Sequence, residues 1–478
     1  MKGGNINLSQ WREISEQINN LVELPIEIPS LSNAGWHEPF VVTNGRIDDA
    51  VLDYINTANV GWSKRSFPNP LRTIEKSALV RQFTELHGAF LPKETRDFQA
   101  LLSLILRDGQ APLNKPAFAD FLEQTLRLGE DLTKRDTSRA FASCLLLTSY
   151  ALGSSVTAGN FWAQFEAWTM VCSYILCVTT RDSLEENYWR PSYDLALRSA
   201  RRSLEDLVRE CETRCEYVEG HPLADGYFYG ARQTILTGLV AAWGLNQRRS
   251  GNPSDFGAAF FRMSIRKSFF WGESSVPYLA LASLELENRC QSIEAEGLML
   301  QMLDIVGIAN QRGNRGIPDI FVSIEDALVF QHRLKGYEEG LSYAGFTYIA
   351  EPVVEYLARR WRRQGLARRW RGLTRISLMS SIPDHSWEWF RWRAENASLA
   401  SRFYPEPQSW QELREGAEAR DIDAIPNLLR DEPEFLSYFV LVFPHRWNVY
   451  TMRALEVAFA EQSPYCQTRK RVSKRLLP

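Results

Sequence analysis

Histidine is scarce in this 478-residue chain, with six residues, and methionine and cysteine are few, with seven each. Neither sign of charge is in real excess: 55 Lys+Arg stand against 58 Asp+Glu, a formal net charge of −3. That balance argues against a uniformly basic nucleic-acid protein, although a total says nothing about local patches. The cysteines (Cys144, Cys172, Cys177, Cys211, Cys215, Cys290 and Cys466) are odd in number, scattered and mostly set in apolar stretches. A disulfide scaffold is thereby excluded, and small buried hydrophobes in a reducing compartment are expected. After Met1-Lys2-Gly3-Gly4-Asn5 no apolar run with a cleavage site follows, so no secretory signal is expected.

Long apolar runs are also rare. The one membrane-like stretch spans 140–180, where Glu166 is the only charged residue. It is rich in Ser, Thr and Gly, and a charge at Glu166 would be costly in lipid, so it reads as a buried helical hairpin. A cytoplasmic protein with no membrane contact is expected. The chain lacks a GxxxxGK phosphate loop, a GxSxG elbow, an HExxH pair and a GxGxxG following a strand. ATP-driven, α/β-hydrolase and dinucleotide chemistry are therefore disfavoured, and no cofactor or metal is expected.

What is present is helical and aromatic. Hydrophobic residues make up 45% of the chain, with Trp 15, Tyr 17 and Phe 25. Leu204, Leu207, Val208, Cys211 and Cys215 form an amphipathic stripe, with a break expected at Pro191 and a cap at Ser192. A helix is predicted from Glu351 to Gly365, where Pro352 fits the first turn and Gly365 supplies a left-handed stop. Further helices are predicted over Lys76–His87, Arg96–Leu106, Pro116–Leu128, Ser138–Leu152, Gly226–Gln247 and Phe256–Phe270. More follow at Pro277–Leu303, Ile324–Leu334, Ser409–Ala419 and Met452–Glu461. Phe435–Phe443 reads as either a buried strand or a short core helix. The prolines of Leu24–Val42 suit an irregular arm.

The fold class expected is all-α: an irregular solenoid of helical hairpins or a large helical bundle, with a small N-terminal arm. Four regions are drawn: an arm or cap over 1–75, a helical domain over 76–250, a helical-repeat domain over 251–403, and a C-terminal helical domain over 404–478 with a basic tail.

The most distinctive feature is a duplicated unit, Leu357-Ala358-Arg359-Arg360-Trp361-Arg362 and Leu366-Ala367-Arg368-Arg369-Trp370-Arg371. With Arg363 and Arg375, eight arginines lie between 359 and 375 and no acid lies among them. Nine residues at roughly 100° each place the second Trp opposite the first on one continuous helix, so a break near Gly365 is expected. Arginine forks grip phosphate oxygens, and indoles stack on bases. The anion-binding residues expected are therefore Arg359, Arg360, Trp361, Arg362, Arg363, Arg368, Arg369, Trp370, Arg371 and Arg375. Residues 351–400 carry ten bases and five acids, and 465–478 carry five bases and no acid, so the rest must carry −13. The bland alternative is ion pairing with neighbouring acids, for which 401–440 offers nine against four bases.

Three smaller motifs carry competing readings. Asn288-x-x-x-Ser292-x-x-x-Glu296 resembles the magnesium-binding helix of class I terpene synthases, although Arg289 stands where that family commonly has an acid. The partner aspartates it requires have a counterpart only at Asp48-Asp49-x-x-x-Asp53. Cys211 and Cys215 with His221 suggest core packing more than a zinc site, which wants four ligands. Asp384-His385-Ser386-Trp387-Glu388 and Pro444-His445-Arg446-Trp447 place an imidazole among aromatics without a nucleophile.

Two functions follow. The leading one is a non-enzymatic helical scaffold, a subunit that contacts protein partners and, through 359–375, nucleic acid. The other is an enzyme on an α/α toroid, acting on a carbohydrate or isoprenoid in an aromatic cavity with carboxylates.

Overall fold

In a computed structural model, the structure describes residues 5–23, 38–43, 45–65, 67, 69–78, 95–213, 226–252, 256–332, 342–360, 362–392, 397–402 and 410–460. The chain divides into two compact units, Met1–Lys93 and Glu94–Pro478. The helix expected over Lys76–His87, the motif partners Cys215 and His221, and the basic tail fall wholly or largely outside the described residues.

The N-terminal unit, read from sequence as an arm or cap, has a core of its own. Helix α1 (Leu8–Glu23) turns Trp11, Ile18 and Val22 inward, and α2 (Asp49–Lys64) does the same with Val51, Ile55 and Trp62. Strand β1 (Phe40–Val42) pairs in parallel with β2 (Arg72–Ile74), and α2 is the crossover that a parallel pair requires. Trp62 donates its indole N–H to Glu23 at 3.0 Å, tying the ends of the two helices together.

The second unit is all-α. It runs through α3 (Thr95–Ile105), α4 (Lys115–Leu126), α5 (Lys134–Ala151), α6 (Gly153–Thr157), α7 (Phe161–Asp182), α8 (Glu186–Thr213) and α9 (Gly226–Arg249). There follow α10 (Ala258–Ser264), α11 (Val276–Asn288), α12 (Ser292–Ala309), α13 (Ile324–His332), β3 (Phe346–Thr347), α14 (Ala350–Arg359) and α15 (Arg363–Leu373). The rest is β4 (Ser377–Pro383), β5 (Ala397–Arg402), α16 (Trp410–Glu418), α17 (Asn427–Arg430), α18 (Pro433–Val442) and α19 (Val449–Leu455), ending in a π-turn at Glu456–Ala460. Strand β4 bridges β3 and β5 in a small surface sheet.

Side chains set the helix starts: Asn114, Thr133 and Asn160 accept from Ala117, Asp136 and Ala163 at the heads of α4, α5 and α7. Helices α7, α11 and α18 are buried on nearly every face, so they form the interior around which the amphipathic helices pack. Phe435–Phe443 is thus a core helix rather than a strand. The 140–180 stretch is the expected buried hairpin, built from α5 and α7. No described helix is long and apolar enough to cross a membrane. Where α9 crosses α11, a Cβ on Gly238 would lie 2.6 Å from that of Tyr278, so only glycine permits the approach.

Several predicted boundaries are corrected. Pro277–Leu303 is two helices, because Cys290 takes a left-handed φ of 62° between them. Gly365 does not stop a helix; it lies inside α15, where a Cβ would meet Leu300 at 2.8 Å, so its smallness seats α15 on α12. The break falls at Arg360–Arg362 instead. Pro191 lies within α8 rather than before it, forgoing one backbone bond in the second turn. Cys144, Cys172, Cys177 and Cys211 are buried, and burial pushes the thiols of Cys144, Cys177 and Cys211 up to about 12. Cys290 alone of the described cysteines is exposed.

Candidate ligand-binding site

The duplicated arginine unit is divided by the fold. Arg359 is buried at the end of α14, its Nε donating to both oxygens of Glu456 at 3.1 and 3.0 Å. Its Nη1 donates to the Ala417 carbonyl at 2.9 Å and lies 3.4 Å from Glu355. Arg360 forks onto Glu287 at 2.9 and 3.0 Å and reaches Glu456 at 3.3 Å. Arg362 pairs with Glu296 at 3.2 Å, and Arg369 with Asp304. The acids that take these arginines come from α11, α12, α14 and the π-turn rather than from the acidic stretch 401–440. Arg363, Arg368 and Arg375 are exposed, and Trp370 is half-buried in α15, whose inner face carries Leu366 and Leu373. Trp361 and the side chain of Arg371 lie outside the described residues.

The remaining motifs are placed as follows. Asn288 ends α11 and Ser292 begins α12, so the three terpene-synthase-like positions do not share one helix face; Glu296 holds Arg362. Asp49 and Asp53 lie on α2 of the separate N-terminal unit. His385 is exposed and stacks on Trp387, while Glu388 accepts from the His385 backbone at 3.3 Å. Among the described residues no group of His, Cys, Asp and Glu is arranged to hold a metal.

One cavity in the second unit gathers aromatic walls and buried charge. It measures about 490 Å³. Trp162, Trp271, Trp392, Phe321 and Tyr278 form its walls. Each is positioned by a local device. Trp162 and Glu166 are four apart on α7 and so share a face. Trp271 donates to Ser274 at 3.1 Å, and Tyr278 donates its hydroxyl to the Leu441 carbonyl at 3.1 Å. His445, in the turn after α18, stacks on Phe321 at 5.9 Å and meets the edge of Trp392 at 5.1 Å. The starts of α4 and α13 both open onto the cavity through Asn114–Pro116 and Phe321–Glu325.

At its floor, Lys115 lies 2.6 Å from Glu166, 3.4 Å from the Val442 carbonyl and 5.5 Å over the ring of Trp392. Glu166 is only 1% exposed. Burial raises its carboxyl above the usual range even against Lys115, and the nearby charge of Glu325 adds to the rise. Arg107 lines the same space, and its Nη1 is buried with no hydrogen-bond partner among the described residues. Glu273, two residues after Trp271, is buried with no cation among the described residues: it accepts from the Thr347 hydroxyl and from the Tyr348 N–H at 3.1 Å. Burial pushes it up to about 8. A wider cleft of about 900 Å³ lies between α8 and the 423–432 segment, but its charges are already paired, Arg190 with Glu432 foremost.

Sequence reasoning passed over this site, although it held one signal. Glu166, the only charge in a 41-residue stretch (140–180), was read as evidence against lipid; a lone buried charge is equally a mark of a cavity. Nothing linked it in sequence to Lys115, Trp392 or His445, which come from distant elements. No family model, curated protein or solved structure matches the chain.

Proposed function

We propose that the protein is a helical ligand-binding protein whose site is the aromatic cavity of the second unit. The observation that carries this reading is the combination of three tryptophans around about 490 Å³ of space with a buried Glu166–Lys115 pair at its floor. Ligand pockets are typically concave and mostly apolar, with a few convergent polar groups and shifted carboxyls. Burying a carboxylate and an ammonium beside an apolar cavity costs stability that folding alone does not require. A ligand with a flat, apolar body fits between Trp162, Trp271 and Trp392.

The test is calorimetric titration of the full chain with naphthalene-ring compounds of different charge, repeated on Trp392→Ala. Saturable binding weakened at least tenfold by the substitution is expected. Absence of binding by every compound, or equal affinity in Trp392→Ala, overturns the reading.

A second reading rests on Arg363, Arg368 and Arg375, which are exposed and carry no carboxylate partner among the described residues. They support the scaffold expectation in reduced form, an anionic contact, nucleic acid foremost, made by three arginines rather than by the whole duplicated unit. Affinity for a single-stranded oligonucleotide measured against salt checks it. Loss of about three counterions' worth of slope is expected when all three become Glu, and an unchanged slope removes this reading.

A further inference from the structure

We infer that the ligand of the aromatic cavity is a flat apolar monoanion, whose charged group is taken by Lys115 and Arg107 in exchange for Glu166. The inference rests on the ligand-pocket reading and adds the chemical class. Charge around the cavity carries it. Two cations, Lys115 and Arg107, line the space, and the Nη1 of Arg107 is buried without an acceptor among the described residues. A guanidinium nitrogen buried without an acceptor is costly, and an oxyanion in the cavity would satisfy it. The starts of α4 and α13 add the positive ends of two helix dipoles.

The acids do not reverse this sign. Glu325 is exposed at the rim, in the first turn of α13. Glu166 is matched one-to-one by Lys115. An amine ligand would have to displace Lys115 from both Glu166 and the face of Trp392, exchanging one ammonium for another. An anion instead supplies the acceptor that the buried Nη1 of Arg107 lacks among the described residues.

A proton accompanies the exchange. Lys115, Glu325, Trp162 and Tyr278 interact with Glu166, and Arg107 and His445 line the same cavity. When an anion draws the Lys115 ammonium away, Glu166 keeps its burial and its neighbour Glu325 but loses its counter-charge. It then takes up a proton from solvent and stays in place as a neutral acid. Affinity therefore falls as pH rises, by up to tenfold per pH unit once Glu166 is ionised in the free protein.

The experiment uses the full-length protein and three probes with one ring system: 2-naphthoate, 2-naphthamide and 2-naphthylmethylammonium. Each is titrated by calorimetry at pH 6 and pH 8, in two buffers of different ionisation enthalpy so that protons are counted. Naphthoate is expected to bind at least tenfold tighter than the amide at pH 6, with uptake of up to one proton. Arg107→Gln and Lys115→Met should each remove that preference. Glu166→Gln, neutral at every pH, should raise naphthoate affinity at pH 8 to its low-pH level and lose both the uptake and the pH dependence. Equal or tighter binding of the amide or the ammonium overturns the inference while leaving the ligand pocket standing. Uptake that persists in Glu166→Gln overturns the exchange and moves the proton to another group, His445 first. Failure of all three probes removes the pocket reading itself. Circular dichroism of each variant, with Arg107→Gln as the least intrusive change, separates these outcomes from misfolding.

Discussion

Glu456 is surrounded by three arginines, whereas Glu166 has one lysine and a cavity. Both carboxylates are almost fully buried. Around Glu456 the forks of Arg359 and Arg360 donate to both oxygens, Arg453 stands 3.9 Å away, and Arg359 spends its Nη1 on Glu355 and the Ala417 carbonyl. Nothing is left over for a ligand. Around Glu166 the compensation among the described residues is a single ammonium, that of Lys115, and the surroundings are aromatic walls and space. Guanidinium forks fix geometry, while an ammonium can change partner without losing directional bonds. The difference shows how to sort buried charge: a closed network holds the fold together, and an incomplete one beside a cavity marks a site. Glu273 makes a third case, with hydrogen bonds and no cation among the described residues.

The largest effect should come from opening the closed network. Arg359→Met leaves Glu456 and Glu355 short of a counter-charge in a dry interior, and a loss of about 3–5 kcal/mol in denaturant unfolding is expected. Lys115→Met should cost clearly less at pH 5, because burial already lifts the Glu166 carboxyl and protonation removes the unpaired charge. Its cost should grow as pH rises and Glu166 is forced to ionise. Equal costs at pH 5 would break the comparison.

Glu273 sharpens it from the other side. With its carboxyl raised to about 8, the native state holds a proton from pH 4.5 upward that the unfolded chain releases. Stability contributed by the neutral acid is full below about pH 4.5 and is lost progressively as pH rises toward 8. The limiting slope is about 1.4 kcal/mol per pH unit. Urea titrations at several pH values should show that decline in the wild type and a flatter curve in Glu273→Gln. A wild-type curve that rises over this window would refute the assignment.

These contrasts mark where sequence was readable. Periodicity carried the helices, since Leu204, Leu207, Val208 and Cys211 are buried on α8 as their spacing requires. It could not place the turn at Cys290, because a left-handed residue leaves no apolar signature. Gly365 was legible as special but not for its reason, which is the side chain of Leu300 on another helix. The arginine unit stood out because its residues are contiguous, yet contiguity hid its division between buried pairs and exposed side chains. The cavity had the opposite problem. Its floor joins Lys115, Glu166, Trp392 and His445 across more than 300 positions, so only folding brings them together.

Gly238 links packing to the site. Adding one methyl there drives into the backbone and Cβ of Tyr278, which forms part of the cavity wall. Gly238→Ala should cost about 1–3 kcal/mol as an overpacked helix crossing. It should also weaken naphthoate binding in the calorimeter, because Tyr278 is displaced from its bond to Leu441. Destabilisation with unchanged affinity would show that this wall does not shape the site.

The smallest stability effect is expected where the duplicated unit reaches solvent. Arg363, Arg368 and Arg375 are exposed and make no ion pair among the described residues, so replacing all three with Glu removes no compensated charge from the described interior. Thermal unfolding should shift little, within the roughly ±0.5 kcal/mol per site typical of surface positions. Arg359, one position along the same unit from Arg360 and only four from Arg363, should differ by several kcal/mol. Any effect of the triple substitution should appear instead as a weaker, less salt-dependent contact with an anionic partner. A large stability loss would mean that these side chains belong to the closed network after all. The division of the duplicated arginines into structural and exposed halves would then collapse.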